Sequence, residues 1–288
     1  MKIKDIVNRD IVNLTNCDQE PIHIPGSIQP HGFLIAFSEV AVIEYCSANT
    51  ESFIGLTPPQ LLTRDLKTVF GEAIATDITT YTQSLTTSVA APLVIEFNKQ
   101  KFNVNIHKSH PVWIAEFEKQ DVTAPRISVV FDQTIQFVKY MQQTQTLQQL
   151  CAKVAEEIQA LTGYDRVMVY RFDKDYNGEV FAEVKRDDLE SFLGHHYPHT
   201  DIPVQARQLY IKNLLRLIVD VNYTPVPLYT VDNGQEKNLD LSLSSLRSVS
   251  PIHIQYLQNM GVGATLTHHF FVTRRKALGP DCLPPLFL

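Results

Sequence analysis

The apolar residues of this chain change their period between residues 134 and 162. Ile135, Val138, Met141, Leu147, Leu150, Val154, Ile158 and Leu161 recur at steps of three and four or their sums. That spacing is the stripe of a long amphipathic helix. Gly163 follows where a C-terminal cap belongs. On either side the apolar residues come in short runs rich in β-branched and aromatic side chains, the signature of strands. The pattern predicts two small α+β modules joined by one helix, in keeping with a length of 288 residues that a single core rarely spans. The helix packs into the second module, and its Gln-rich N-terminal half offers a face for a homodimer.

Before the helix, residues 1–30 form an arm without strong periodicity. GFLIAFSE, VAVIEYCSA, APLVIEF, KFNVNIHKS, VWIAEFEK and ISVVF then read as strands. Residues 47–88 read as short helices and loops, with cap-type residues opening SANTESFIG and Pro at the start of TPPQLL. The result is a mixed antiparallel sheet with helices between its second and third strands. From Tyr164 a second module begins. DRVMVYRF and GEVFAEVKR are strands across the turn DKDYNG. DIPVQARQLYIKNLLRL reads as one helix entered through Asp201, Ile202 and Pro203. Residues 222–243 are irregular, SPIHIQYLQNMG is a helix ended by Gly261, and VGATLTHHFFVT is a strand.

Composition narrows the function classes. A net charge of −6 argues against a nucleic-acid or anionic-membrane surface. The start, MKIKDIVNRDIVNLTN, lacks the apolar core of a signal peptide, and no run of about 18 apolar residues exists to span a bilayer. Cys17, Cys46, Cys151 and Cys282 are widely spaced without a CxxC pair. They fit a reducing cytoplasm better than a disulfide framework or a zinc site.

The chemistry-bearing residues gather in a few stretches. NCDQEPIHIPGSIQPHGFLI sets a lone thiol, Cys17, on a Pro- and Gly-rich arm. It reads as a catalytic thiol, a metal ligand or an anchor for a covalently held group. No oxyanion-hole feature lies near it. HHYPHTD, residues 195–201, offers histidines and a carboxylate to a metal, but Pro198 breaks the run and no helical i, i+4 pair exists. Read alone it is a polar loop. Arg216 and Arg247, with Tyr210 and His253, are suited to clamping carboxylates. Tyr170, Tyr197 and Tyr256 suit a flat ligand with polar edges.

Taken together, these fragments resemble bacterial phytochromes over about residues 10–267. CDQEPIHIPGSIQPHG is similar to the start of their PAS domain. YRFDKDYNGEV, FLGHHYPHTDIPVQARQLY, LLRL and RSVSPIHIQYLQNMGVGATLT are similar to their GAF domain, in the same order. The resemblance implies an arm at 1–30, a PAS domain at 31–132, a connecting helix at 133–163 and a GAF domain at 164–267. It implies a linear tetrapyrrole, biliverdin, joined by a thioether to Cys17. The alternative anchor of other phytochrome branches falls on Ile252, which cannot form that bond. Asp201 and His253 are then expected at the pyrrole nitrogens, with Ile202 and Pro203 beside them. Arg216, Arg247 and Tyr210 are expected at the propionates, with hydroxyls from Ser250, Thr265 and Thr267. Tyr170, Tyr197 and Tyr256 are expected around the D ring, which rotates on light absorption. The arm is expected to pass through the loop 222–243, with Ile28 inside, forming a knot. A PAS–GAF module without pigment, acting only in protein association, is the alternative.

Beyond Thr267 the resemblance stops, and HHFFVTRRKALGPDCLPPLFL follows. Read from the second base of each codon, residues 268–287 can encode TISLLREGKLWGLIACHHYS, the continuation that the family supplies. A single-base frame change near Thr267 accounts for this tail, residues 268–288. The GAF domain is then expected to lack an inner strand, because Pro in PDCLPP has no donor for a central ladder, although HHFFVTR can extend the strand begun at 263. Cys282 is expected to have no role. The downstream PHY domain and kinase output are expected to be missing, so the chain is read as a non-enzyme.

Overall fold

The computed structural model describes residues 1–10, 12–13, 16–85, 92–120, 135, 139–140, 144–270 and 286–287. Along the chain run β1 (Ile3–Asp5), β2 (Ser27–Ile28), β3 (Gly32–Phe37), β4 (Ile43–Ser47), α1 (Thr50–Ile54), α2 (Pro58–Leu61), α3 (Leu66–Phe70), α4 (Glu72–Ser84), β5 (Leu93–Phe97), β6 (Gln100–Ser109) and β7 (Val112–Lys119). There follow α5 (Leu147–Thr162), β8 (Arg166–Phe172), β9 (Gly178–Lys185), β10 (His196–Tyr197), α6 (Val204–Lys212), β11 (Leu215–Ile218), β12 (Val226–Val231), α7 (Pro251–Asn259), β13 (Thr265–Phe270) and β14 (Leu286–Phe287). They form two compact units, Met1–Asp121 with Leu217–Thr265, and Val122–Arg216 with Leu266–Leu288.

The sheet of the first unit has the order β1-β12-β4-β3-β7-β6-β5, with β2 also on β12. Every residue of β3 is buried. An unbroken apolar strand needs cover on both faces, and β3 has it. Phe33, Ile35 and Phe37 meet Leu61, Leu66, Phe70 and Ile78 of the helical layer. Leu34 and Ala36 meet Ile6, Ile28, Leu228, Leu241 and Leu246. Phe33 stacks on Phe117 at 4.5 Å and meets Phe102 edge-on at 5.7 Å. Each buried ring contributes about 1.5–3 kcal/mol. The helix at TPPQLL is capped as its sequence suggests: Pro58 is its first residue, and the Thr57 amide donates to Gln60 Oε1 at 2.8 Å.

Two expectations change here. The arm is not irregular throughout, because β1 and β2 both pair with β12: Ile3 faces Val231 and Ile28 faces Val226. The stretch 222–243 is likewise not irregular. Its Val-Pro-Leu-Tyr-Thr-Val run is β12, which also pairs with β4. Pairing to distant partners made strands that local pattern did not announce.

The sheet of the second unit has the order β10-β9-β8-β14-β13-β11. The long helix is shorter than its stripe. Thr146 is extended (φ −130°, ψ 152°) and caps α5 by accepting the Gln149 amide at 3.2 Å. Thr144 and Gln145 are not helical, while Ile135, Lys139 and Tyr140 are; the rest of 134–143 lies outside the described residues. The buried positions are Cys151 and Ala155, packed with Val167, Val169 and Ala182, whereas Leu147 and Leu161 are 44% and 45% exposed. Small side chains form the buried centre of the inner face, Ile158 packs beside them, and Leu147 and Leu161 turn outward. Gly163 ends α5 with φ 72° and donates to Gln159 O. The helix expected over 201–217 ends at Lys212, because Asn213 leaves helical geometry (φ −122°, ψ 108°) and LLRL enters the sheet as β11. Arg216 is therefore a strand residue.

The tail also differs from expectation. Leu286–Phe287 stand between β13 and β8, opposite Arg171 and Tyr170 on one side and Phe270 and His269 on the other. The inner position is thus filled by two residues, so Arg166–Val169 have ladder partners only in β9 among the described residues. ISVVF, PDCLPP and Cys282 lie outside the described residues.

Two outcomes follow for the first unit. Gly26 has φ +66°, and a Cβ there would stand 1.9 Å from the Ile6 carbonyl oxygen. Gly26→Ala combines left-handed strain with overpacking and should cost about 2–4 kcal/mol, read as a lower urea midpoint and faster proteolysis of residues 1–30. His107 is buried, which pushes its imidazole down to about 4 against the opposing charge of Asp240. Between pH 6.5 and 4 the unfolded chain binds the proton that the folded chain refuses, so stability falls as pH falls through that window. The loss is about 3 kcal/mol. His107→Leu should flatten the pH dependence of the unit's urea midpoint over that range; an unchanged slope would refute the assignment.

Candidate functional site

Cys17 opens a 3-10 turn, Cys17–Gln19, and is a partly buried thiol outside any disulfide. The turn is tied by Gln19 N–H to Asn16 O at 3.0 Å, and Asn13 N–H reaches Asn16 Oδ1 at 2.7 Å. Downstream, Arg247 Nη1 donates to Ile22 O at 2.7 Å, and Leu241 N–H donates to His23 O at 2.8 Å. Arg247 is only 6% exposed. It was expected at a propionate, and one of its donors is engaged by the arm. Glu20, at the end of the turn, is hydrogen-bonded to the Ser250 side chain, and burial raises its carboxyl above the usual range.

Ser250 precedes α7, whose first residue is Pro251. Leu257 and Ile254 turn that helix inward. His253 and Tyr256, one turn apart on the exposed face, have ring centroids 6.3 Å apart at 13°. Thr265 and Thr267 occupy alternate positions of β13 and so point to one face of it. All but Thr267 belong to the first unit.

The remaining predicted residues belong to the second unit. Asp201 closes a 3-10 turn, His199–Asp201, and is exposed; Ile202 and Pro203, partly buried, lead into α6. Arg207 holds this turn from within α6. Its Nη1 donates to His199 O at 3.0 Å and to Ile202 O, while its guanidinium lies 4.7 Å from the Tyr176 ring. Asn177 Oδ1 accepts the His199 amide at 3.2 Å. Sequence reasoning missed Arg207 and Asn177. Arg207 stands four residues after Pro203, and that spacing was the available signal. Tyr210 and Arg216 are partly buried on α6 and β11. Tyr170 and Tyr197 stand 6.0 Å apart, and Phe172 meets Tyr170 edge-on at 5.1 Å.

His195, His196 and His199 are all exposed, and among the described residues no group of His, Cys, Asp and Glu could hold a metal. Among the same residues no helix is long and apolar enough to cross a membrane.

The PAS fold matches residues 17–120 and the GAF domain residues 146–268, which defines a PAS–GAF sensory module. Cyanobacterial phytochrome B of a Nostoc species is 40% identical over 283 residues, covering 93% of this chain and 36% of that relative. A bacteriophytochrome of Pseudomonas aeruginosa is 39% identical over 264 residues, 89% of this chain and 35% of that relative. The chain spans about a third of the length of these curated relatives. The solved chromophore-binding domain of a Stigmatella aurantiaca bacteriophytochrome is 35% identical, with a TM-score of 0.80 over 94% of this chain and 89% of that one. The chain belongs to the bacterial phytochromes and carries their PAS and GAF modules.

Gly178 faces Tyr197 and Phe172 in the ladder, and a Cβ there would stand 1.8 Å from the Tyr170 ring. Gly178→Ala should drive Tyr170 from its rotamer and away from Tyr197. Near-UV circular dichroism should lose tyrosine signal while the far-UV spectrum stays unchanged; intact near-UV bands would contradict this.

Proposed function

We propose that this chain is a red-light sensory module that holds biliverdin by a thioether to Cys17. The observation that carries the reading is the setting of the thiol. Cys17 is a partly exposed thiol, outside any disulfide, on a turn whose following residues are pinned by Arg247 and Leu241. A nucleophile meant for one reaction with a bound ligand needs such a fixed approach. The donor set fits a flat, cationic tetrapyrrole with two carboxylates. Asp201 is the carboxylate for the cationic nitrogens, since an adjacent negative charge favours the protonated form. His253, stacked with Tyr256, offers a ring face and a nitrogen to the same ligand. Arg216 and Tyr210 take the propionates. Arg247 joins them while holding the arm at Ile22. Ser250, Thr265 and Thr267 add hydroxyls, and Ile202 and Pro203 cover an apolar edge.

Bound biliverdin supplies the red absorption and the rotation of its D ring. The chain's own part is to hold the other rings and leave room at the fourth. Tyr170, Tyr197 and Tyr256 would line that space with apolar faces and polar tips. The module signals from the cytoplasm without catalysing a reaction, and pairs with a second copy through α5, where Leu147 and Leu161 are exposed.

The test is to mix the purified chain with biliverdin beside Cys17→Ser. The wild type should show a red band and keep the pigment after denaturation, while the serine variant should show no covalent adduct. A folded wild type with no red band would overturn the reading and favour a PAS–GAF association module without pigment.

A further inference from the structure

The buried carboxyl of Glu116 has no part in the reading above, yet it lies at the root of the segment that holds the arm. Glu116 is on β7, on the face of the sheet that meets Leu241 and Leu246, and is 1% exposed. An isolated carboxyl there would be costly. It is instead surrounded by donors: Ser244 Oγ to Oε1, the Leu246 amide to Oε1 at 2.8 Å, the Ser245 amide to Oε2 at 3.0 Å and Ser245 Oγ to Oε2 at 3.3 Å. Three successive residues of one segment thus converge on a single side chain. His107 Nδ1 stands 3.9 Å from Oε2, and Ser245 Oγ also reaches Glu118 Oε1 at 3.4 Å.

The same segment then grips the arm. Leu246 O accepts the Gln29 amide at 2.7 Å, Ser248 N–H donates to Ser27 O at 3.2 Å, and the Ser27 and Ser248 hydroxyls meet at 2.6 Å. Arg247 reaches Ile22 O, and Ser250 reaches Glu20, three residues from Cys17. The bonds run without a gap from Glu116 through 244–250 to the turn that bears the thiol.

We infer that Glu116 is a positioning residue for covalent attachment at Cys17, acting through residues 244–250. The inference rests on the reading of Cys17 as the pigment anchor. Glutamine is the informative replacement. It keeps the size and one acceptor, but its amide donor faces the Ser245 amide, so two donors oppose each other.

The experiment uses the full chain as wild type, Glu116→Gln and Ser244→Ala, the last removing one donor without crowding. Two quantities are read for each. One is the rate of thioether formation at saturating biliverdin, separated from the amplitude of the non-covalent red band. The other is hydrogen exchange at the Gln29 and Leu241 amides without pigment. Glu116→Gln should slow attachment about tenfold, the net weight of one hydrogen bond, with the non-covalent band intact. Exchange at both amides should accelerate by a similar factor. Ser244→Ala should shift both quantities in the same direction by a smaller factor. Attachment and exchange at wild-type rates in folded variants would overturn the inference. If Glu116→Gln fails to fold, Ser244→Ala decides. If the wild type takes up no biliverdin, the pigment reading fails, and the exchange rates alone decide whether Glu116 holds the arm.

Discussion

The first unit depends on the way Ile28 is held. It faces Val226 on one side and Arg247 on the other, and it is fully buried. Around it, the Leu228 amide donates to Gly26 O, the Gln29 amide to Leu246 O, and the Gln29 side chain bonds Leu217 O and the Val219 amide. A short strand with partners on both sides has no free edge. The partners lie as far as 219 residues away in sequence, from Ile28 to Arg247. Closing so long a loop costs entropy before any contact rewards it, so this arrangement is stable only as a set. Residues 217–248 hold the arm through several of these bonds at once.

The candidate ligand groups are each placed by a small local device. The thiol rides on a 3-10 turn, the His253–Tyr256 pair on one helical turn, and Asp201 on a turn fastened by Arg207 and Asn177. Each device fixes a side chain through backbone hydrogen bonds. That is the economical way to hold long or mobile groups in a set direction, since rotamer entropy is lost at the supporting residue rather than at the ligand contact.

Much of this was legible in the sequence. Five predicted strands of the first module, β3 to β7, appear where apolar runs placed them, and the sixth, ISVVF, lies outside the described residues. The cap at TPPQ and the stop at Gly163 followed from local chemistry, which acts over a few residues and leaves its mark there. The order and composition of GAF-like motifs pointed to the phytochrome family. Less legible were β12, the true start of α5 and the switch from helix to strand after Lys212. For two of these the outcome rests on a partner elsewhere, β4 and β1 for β12 and the second sheet for β11, whereas α5 starts at the Thr146 cap. The outward turn of Leu147 and Leu161 was hidden because the periodicity of a stripe does not say which of its residues a close-packed sheet admits.

Local patterns along the chain were enough for the two-module plan, the family and the candidate residues, because periodicity, caps and motif order act over a few neighbouring residues. Only the tertiary structure decided what holds them. That Arg247 bonds the arm at Ile22, that Arg207 fastens the turn of Asp201, and that Glu116 gathers Ser244, Ser245 and Leu246 are facts of contact between residues distant in the chain or, for Arg207, of side-chain direction. A buried carboxyl in a strand such as VWIAEFEK reads as one more polar position in an alternating pattern. Its cost in a dry interior, and so its need for those donors, arises only when the fold has excluded water around it.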